Sequence, residues 1–305
     1  MAASNQTVSF LKRRFADVGL TLKSRYGQNF LVDLNLLRLL VQAADVSHDD
    51  VVLEVGTGTG SLSALLAPQV AAVVSVEIDP RLHQLASEEL IDFENVELLC
   101  RDVLHGKNAL DEAVLAAVAA RLQEQPGRRF KLVANLPFCV ATPVIANLLD
   151  LESPPETMTA TIQLELAQRI VARPCTKDYG ALSVWVQSQC AVELIRVMPP
   201  EAFWPRPKVT SAIVQIRLDP TRRARIADRA FFHHFVRTLF LHRRKVLRGG
   251  LHSGFKSVLD KTAIDELLAG QNLPLTCRAE ELEPDALLAL AEAAARRLAL
   301  NPTSR

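Results

Sequence analysis

Short, nearly unbroken apolar runs alternate with longer mixed stretches from about residue 35 to residue 218, and then the runs stop. The runs are Val51–Val55, Val73–Ile78, Val96–Cys100, Lys131–Ala134, Thr157–Gln163, Leu182–Gln189 and Ala212–Leu218. Their β-branched content and lack of polar alternation predict strands of a parallel sheet covered on both faces. The stretches between them predict helices, one starting at Leu62 and an Ala-rich one over Ala109–Leu122 that ends at Gln125-Pro126-Gly127. Pro199, Pro200, Pro205 and Pro207 predict a rigid loop between the last two strands. Beyond Asp219-Pro220, the segments Ala230–Leu247, Ala263–Leu268 and Pro284–Leu298 read as helices, with Pro284 suited to a first turn. The expected fold is α/β: a Rossmann-like sheet domain over residues 1–218, then a small all-α domain over residues 219–305.

Composition adds limits. A chain of 305 residues, 49% hydrophobic and 23% charged, is ordinary globular material. Five cysteines (Cys100, Cys139, Cys175, Cys190, Cys277) lack C-x-x-C spacing, which suggests reduced thiols with neither a zinc site nor a disulfide framework. No apolar stretch resembles a signal sequence or is long enough to span a bilayer. A cytoplasmic location, no membrane partner and no metal are therefore expected. Nothing requires a dimer, so a monomer is expected.

Charge is more telling. The net value of +1 conceals nine Lys/Arg against one acid over residues 222–248, and Lys12, Arg13, Arg14, Lys23 and Arg25 against Asp17 near the start. Two basic zones on an otherwise acidic chain suggest a polyanionic partner, although either zone alone also fits a solvated helix face.

Candidate chemistry sits at strand ends. The run Val51–Val55 leads into Gly56-Thr57-Gly58-Thr59-Gly60, whose glycines allow a tight turn and close approach of a ligand. Alone, the loop also fits a plain strand–helix turn. About 20 residues on, Glu77-Ile78-Asp79 ends the next run, where nucleoside-binding folds place an acid on ribose hydroxyls. Asp102 follows the third run and suits the adenine amine of a cofactor; Asp79, beside Pro80, reads better as a helix cap. The G-x-G-x-G spacing departs from the pyrophosphate fingerprint, which disfavours a nicotinamide cofactor. Together these features resemble the class I S-adenosylmethionine-dependent methyltransferases.

Asn135-Leu136-Pro137-Phe138 closes the fourth run. An amide, a rigid turn and an aromatic face suit a flat ring bearing an exocyclic amine. Adenine N6 is a poor nucleophile because its lone pair is delocalised. If Asn135 and a neighbouring carbonyl accept its hydrogens, the lone pair can turn toward a methyl donor while Phe138 stacks on the base, by positioning rather than by strong base catalysis. The same four residues also fit a polar strand end with a proline turn.

The order of motifs resembles the ribosomal RNA adenine-N6,N6-dimethyltransferases over nearly the whole chain. The resemblance begins with Tyr26-Gly27-Gln28-Asn29-Phe30-Leu31-Val32-Asp33 and runs through the glycine loop, Glu77, Asp102 and Asn135–Phe138. It continues through Gln163-Leu164-Glu165, Ala167–Ala172, Tyr179–Ser183, Phe203–Val209 and Arg243-Arg244-Lys245. It implies transfer from S-adenosylmethionine to two adjacent adenines near the 3′ end of small-subunit (16S) rRNA in an assembling subunit. It also implies cofactor contacts at Asn29, Leu31, Gly56, Gly58, Glu77, Asp102 and Asn135, a catalytic Asn135–Phe138 turn, and a base pocket bordered by Phe203–Val209. Phe138 stands where many members have Tyr, and Cys139 where Asn is common. Phosphate contacts are expected from Arg222, Arg223, Arg225, Arg229, Arg237, Arg243, Arg244, Lys245 and Arg248, and the neighbouring Phe231, Phe232, Phe235 and Phe240 read as helix core. A DNA adenine methyltransferase and an RNA-binding assembly factor are the competing functions.

Overall fold

The computed structural model describes residues 7–20, 22, 28–106, 109–241, 245–256 and 259–300. The chain divides into two compact units, Met1–Ala167 with Glu193–Arg217, and Gln168–Val192 with Leu218–Arg305.

Nine strands are present among the described residues: β1 (Phe30–Leu31), β2 (Asp50–Val55), β3 (Ala72–Glu77), β4 (Val96–Cys100), β5 (Arg129–Asn135), β6 (Thr157–Gln163), β7 (Cys190–Met198), β8 (Phe203–Trp204) and β9 (Ser211–Leu218). Seven form one sheet in the order β4-β3-β2-β5-β6-β9-β7, while β1 and β8 pair separately. Every position of β2 and β3 is buried, which is why those runs show no polar alternation. The pairs β2–β3, β2–β5, β3–β4 and β5–β6 are parallel. The expected all-parallel sheet needs correction at β9, which runs antiparallel to β6. The proline-rich segment before β9 holds only a short 3₁₀ turn, Pro200–Ala202, and β8, with no helix of the kind a parallel crossover uses.

A second correction concerns Leu182–Gln189. This expected strand is a helix, Ala181–Gln187. The Gly180 N–H donates to Ser183 Oγ at 3.0 Å, and Ser183 Oγ donates to the Arg169 carbonyl at 2.5 Å, closing the helix start. Ser183, Val184, Trp185 and Val186 are all buried, so the run has no solvent face and its helical period is invisible. The neighbouring β7 escaped detection for the opposite reason. It ends the sheet order and carries exposed Glu193, Arg196 and Val197, which break its apolar pattern.

Residues 168–192 belong with the helical unit, not with the sheet unit as a single boundary near residue 219 implied. Trp185 stacks on His233 with ring centroids 4.5 Å apart, and the Tyr179 hydroxyl donates to the Leu282 carbonyl at 2.8 Å. The helices of this unit include Arg229–Phe240, Leu247–Phe255, Lys261–Gly270 and Pro284–Leu300. The single helix expected over Ala230–Leu247 is therefore two elements, and residues 242–244 between them lie outside the described residues. Phe232 and Phe235 are buried, as core residues of the first helix.

At the amino ends of β2 and β5, Lys131 Nζ lies 3.0 Å from Asp50 Oδ2 and donates to the Asp45 carbonyl at 2.5 Å. Both side chains are buried, so removing one partner strands a charge. Asp50→Ala is expected to lower unfolding free energy by about 3–5 kcal/mol in urea titration, and the double change Asp50→Ala/Lys131→Met to recover much of that loss.

Candidate active site

Strand β2 leaves the sheet through a loop in which Gly56, Gly58 and Gly60 have φ of 84°, 59° and 86°. Side-chain-bearing residues are strained there. Space is the second constraint. A Cβ on Gly56 would lie 3.0 Å from Pro137 Cγ, and one on Gly58 would lie 3.2 Å from the Phe30 ring. The loop is thus pressed against the end of β5 and against β1. The Gly56 N–H donates to the Val76 carbonyl at 2.8 Å, tying it to β3 as well.

A buried polar network supports the turn. Ser75 Oγ donates to Glu54 Oε2 at 2.7 Å, Ser63 Oγ donates to the same oxygen, and the Ser75 and Thr57 hydroxyls are 2.6 Å apart. Burial pushes the Glu54 carboxyl up to about 7. Glu77, at the end of β3, accepts the Gly58 N–H on Oε2 and the Asp79 N–H on Oε1, both at 2.9 Å. Burial raises its pKa despite those bonds. Asp79 accepts the Arg81 N–H at 3.0 Å and caps helix Pro80–Glu89, the role read for it.

Asp102, after β4, is exposed and accepts the Leu104 N–H at 2.9 Å. Asn135 ends β5, and its Nδ2 donates to the Asn29 carbonyl at 3.0 Å. Leu136 is buried and its N–H donates to the Thr161 carbonyl at 3.1 Å. Pro137 and Phe138 are half-buried, and the Pro137 carbonyl accepts the Val140 N–H at 3.0 Å. Cys139 is exposed beside them; burial raises its pKa, the opposite of an activated thiol.

One cleft of about 240 Å³ gathers Asn29, Gly56, Gly58, Glu77, Asp102 and the whole Asn135–Phe138 turn. Leu31 is the exception among the expected residues. It is buried in the core and borders an adjacent recess of about 40 Å³ instead. Sequence reasoning missed the apolar wall formed by Phe30, Ile78, Leu82 and Val103. Ile78, 37% exposed between Glu77 and Asp79, was the available signal. Glu54 was also missed as a support. Trp204 does not line the cleft; it packs 5.6 Å from Phe15 and 6.5 Å from Phe30, ring to ring, and reaches the site through Phe30.

This geometry fits an adenosine-type ligand. A glycine loop free of Cβ atoms meets apolar walls for a flat ring, with two carboxylates at the strand ends for hydroxyls and an amine.

A family profile described as ribosomal RNA adenine dimethylase matches residues 19–281. The chain belongs to this family. The ribosomal RNA small subunit methyltransferase A of Lactiplantibacillus plantarum is 39% identical over 276 residues, covering 90% of each chain. The protein of that name from Caldanaerobacter subterraneus is 38% identical, over 89% of this chain and 96% of its own. Among solved structures, a dimethyladenosine transferase from Plasmodium falciparum superimposes with a TM-score of 0.71 at 21% identity, over 86% of this chain and 96% of its own. The 23S rRNA methyltransferase ErmE gives 0.59 at 24% identity, over 87% and 98%. Both share the class I methyltransferase fold with this chain.

The expected phosphate-contacting residues of this dimethylase-family chain lie in the helical unit, and several already have partners there. Arg222 donates to the Gln187 and Cys190 carbonyls at 3.3 and 3.0 Å, and Arg223 donates to Gln189 Oε1. Arg248 forms a two-pronged pair with Asp265 at 2.5 and 2.7 Å. Lys245 is exposed, while Arg243 and Arg244 lie outside the described residues. By sequence, the helical unit holds 18 Lys/Arg against 11 Asp/Glu (+7), and the sheet unit 17 against 23 (−6).

Two outcomes follow from the loop. Gly56→Ala should weaken binding of the methyl donor about tenfold in calorimetry, through backbone strain of about 1–2 kcal/mol and the clash with Pro137. Glu54 has a raised folded-state pKa, so its contribution is fully present below about pH 4.5 and is lost as pH climbs to about 7. Glu54→Gln should therefore gain on the wild type across that window, by at most roughly 3 kcal/mol, in melts recorded at successive pH values. A constant difference would show that Glu54 does not titrate there.

Proposed function

We propose that this chain transfers methyl groups from S-adenosylmethionine to N6 of two adjacent adenines near the 3′ end of small-subunit rRNA, giving N6,N6-dimethyladenosine in an assembling subunit. The observation that carries this reading is the meeting of the glycine loop and the Asn135–Phe138 turn in one cleft. The donor, when bound, supplies an electrophilic methyl group on a sulfonium sulfur.

The residues of the chain have separable roles. Gly56 and Gly58 would admit the donor close to the backbone, Glu77 would hold its ribose hydroxyls, and Asp102 would accept from its adenine amine. The Asn29 backbone carbonyl fixes Asn135 by accepting a hydrogen bond from its Nδ2, which leaves Oδ1 to accept from the target amine. A backbone carbonyl of the same turn accepts the second hydrogen, so the nitrogen lone pair points at the methyl. The chain orients the amine rather than deprotonating it strongly; as the N–C bond formed, the C–S bond of the donor would break, the neutral thioether would leave, and the surplus N6 proton would pass to water. Phe138 stacks on the target base, worth about 1–3 kcal/mol. The adenine must be unpaired to enter. A monomer acting in the cytoplasm completes the reading, with the sheet unit (residues 1–167 and 193–217) doing the chemistry and the helical unit (168–192 and 218–305) gripping RNA.

Labelled donor offered with immature small subunits, naked rRNA or duplex DNA, followed by nucleoside analysis, tests this. Dimethyladenosine from subunits supports the proposal; methyladenine from DNA, or binding with no label transferred, overturns it. Asn135→Ala should cut turnover by at least about 10²-fold while the donor dissociation constant moves less than about tenfold.

A further inference from the structure

One concavity in the helical unit is lined by Arg169 and Tyr179–Ser183, parts of the family resemblance that the candidate active site does not use. It is an open groove of about 770 Å³ between Arg169, the segment Lys177–Ser183 and helix Arg229–Phe240. Its floor is aromatic and rigid. Tyr179 is buried, meets Phe240 edge-on with centroids 5.9 Å apart, and spends its hydroxyl on the Leu282 carbonyl. Ser183 Oγ is likewise engaged with the Gly180 N–H and the Arg169 carbonyl. The rim carries charge. Arg169, Lys177 and Arg237 stand around it, exposed and drawn from three separate segments, with Asp178 as the acid among the lining residues. His234 adds a fourth nitrogen base, and Leu241, 76% exposed, adds an apolar edge.

We propose that this groove is a seat for consecutive phosphates of the rRNA substrate, in which Arg169 and Lys177, from outside the 222–248 basic zone, extend the phosphate contact expected of Arg237. This rests on the function proposed above. Three exposed cations drawn from separate segments around one concavity, with one acid in its lining, complement a polyanion in charge. The arrangement favours RNA over a free phosphate or mononucleotide. A selective small-ligand site places buried polar groups at fixed positions, whereas here the Tyr179 and Ser183 hydroxyls are already engaged within the unit. Exposed cations on the rim of an open groove suit phosphates, whose contacts position an RNA without reading its sequence.

The experiment compares wild type with Arg169→Ala/Lys177→Ala/Arg237→Ala for binding to immature small subunits between 50 and 200 mM salt. Three lost phosphate contacts should reduce the slope of log K against log salt by about two, so that wild type loses roughly 16-fold more affinity than the variant over that range. Donor affinity and melting temperature should stay at wild-type values, and the Arg169→Lys/Arg237→Lys variant should keep the wild-type slope. An unchanged slope in the triple variant overturns the groove assignment while methyl transfer by the wild type leaves the function intact. Wild type that neither binds subunits nor transfers label overturns the function, and the groove assignment with it. Competition by millimolar phosphate or AMP at constant ionic strength, relieved in the triple variant, marks a small-anion site and also overturns it.

Discussion

The site depends on the pairing of β2 with β3 on one side and β5 on the other, both in parallel. Chain order runs outward from β2 to β4, then returns to β5 and runs the other way, so β2 and β5 flank the switch in direction. Helices leave the two strands on diverging paths there, and a crevice opens at their carboxyl ends. The bare Cα of Gly56 is what lets the loop lie against the residues that follow β5. Pro137 of the neighbouring strand occupies the space a Cβ would need, so the loop and the Asn135 turn hold each other in place.

That contact recruits the rest of the sheet unit. Glu54, one residue before the end of β2, cannot reach water and is satisfied by hydroxyls from β3 and from the helix after the loop. Glu77 ties the loop's Gly58 to the start of the next helix. Asn29 closes the other side, held by the β1–β8 pairing and by the Phe15, Phe30 and Trp204 rings. Each restraint comes from a different segment, so the reactive turn is fixed without using the side-chain oxygen proposed to grip the substrate.

How much of this was legible follows from which signals are local. Glycines, strand-end acids and the Asn135–Phe138 turn are consecutive letters, and their placement on one crevice follows from α/β topology once the strands are recognised. The strands β4 and β6 matched the expected ranges because short runs dominated by apolar or β-branched residues and bounded by turns leave little choice. Leu182–Gln189 misled because burial on every side erases the difference between a short helix and a strand. The antiparallel β9, the membership of residues 168–192 in the helical unit, and the burial of Leu31 are settled by long-range packing, which local pattern does not encode. Ile78 shows the reverse: the letter was visible, but its meaning needed the cleft.

Charge segregation between the units has the same logic. Arg225, Arg248 and Arg297 sit in ion pairs with Asp285, Asp265 and Glu266, and these side chains are largely exposed. Exposed pairs contribute about 0–1 kcal/mol, so exchanging a carboxylate for a phosphate costs little folding stability. Arg222 and Arg223 differ, because their partners include backbone and amide oxygens that hold the start of the helical segment after β9. Moving them onto RNA would leave those oxygens to water. Among the proposed phosphate contacts, those of exposed cations such as Lys245 and Arg237 leave that anchor intact.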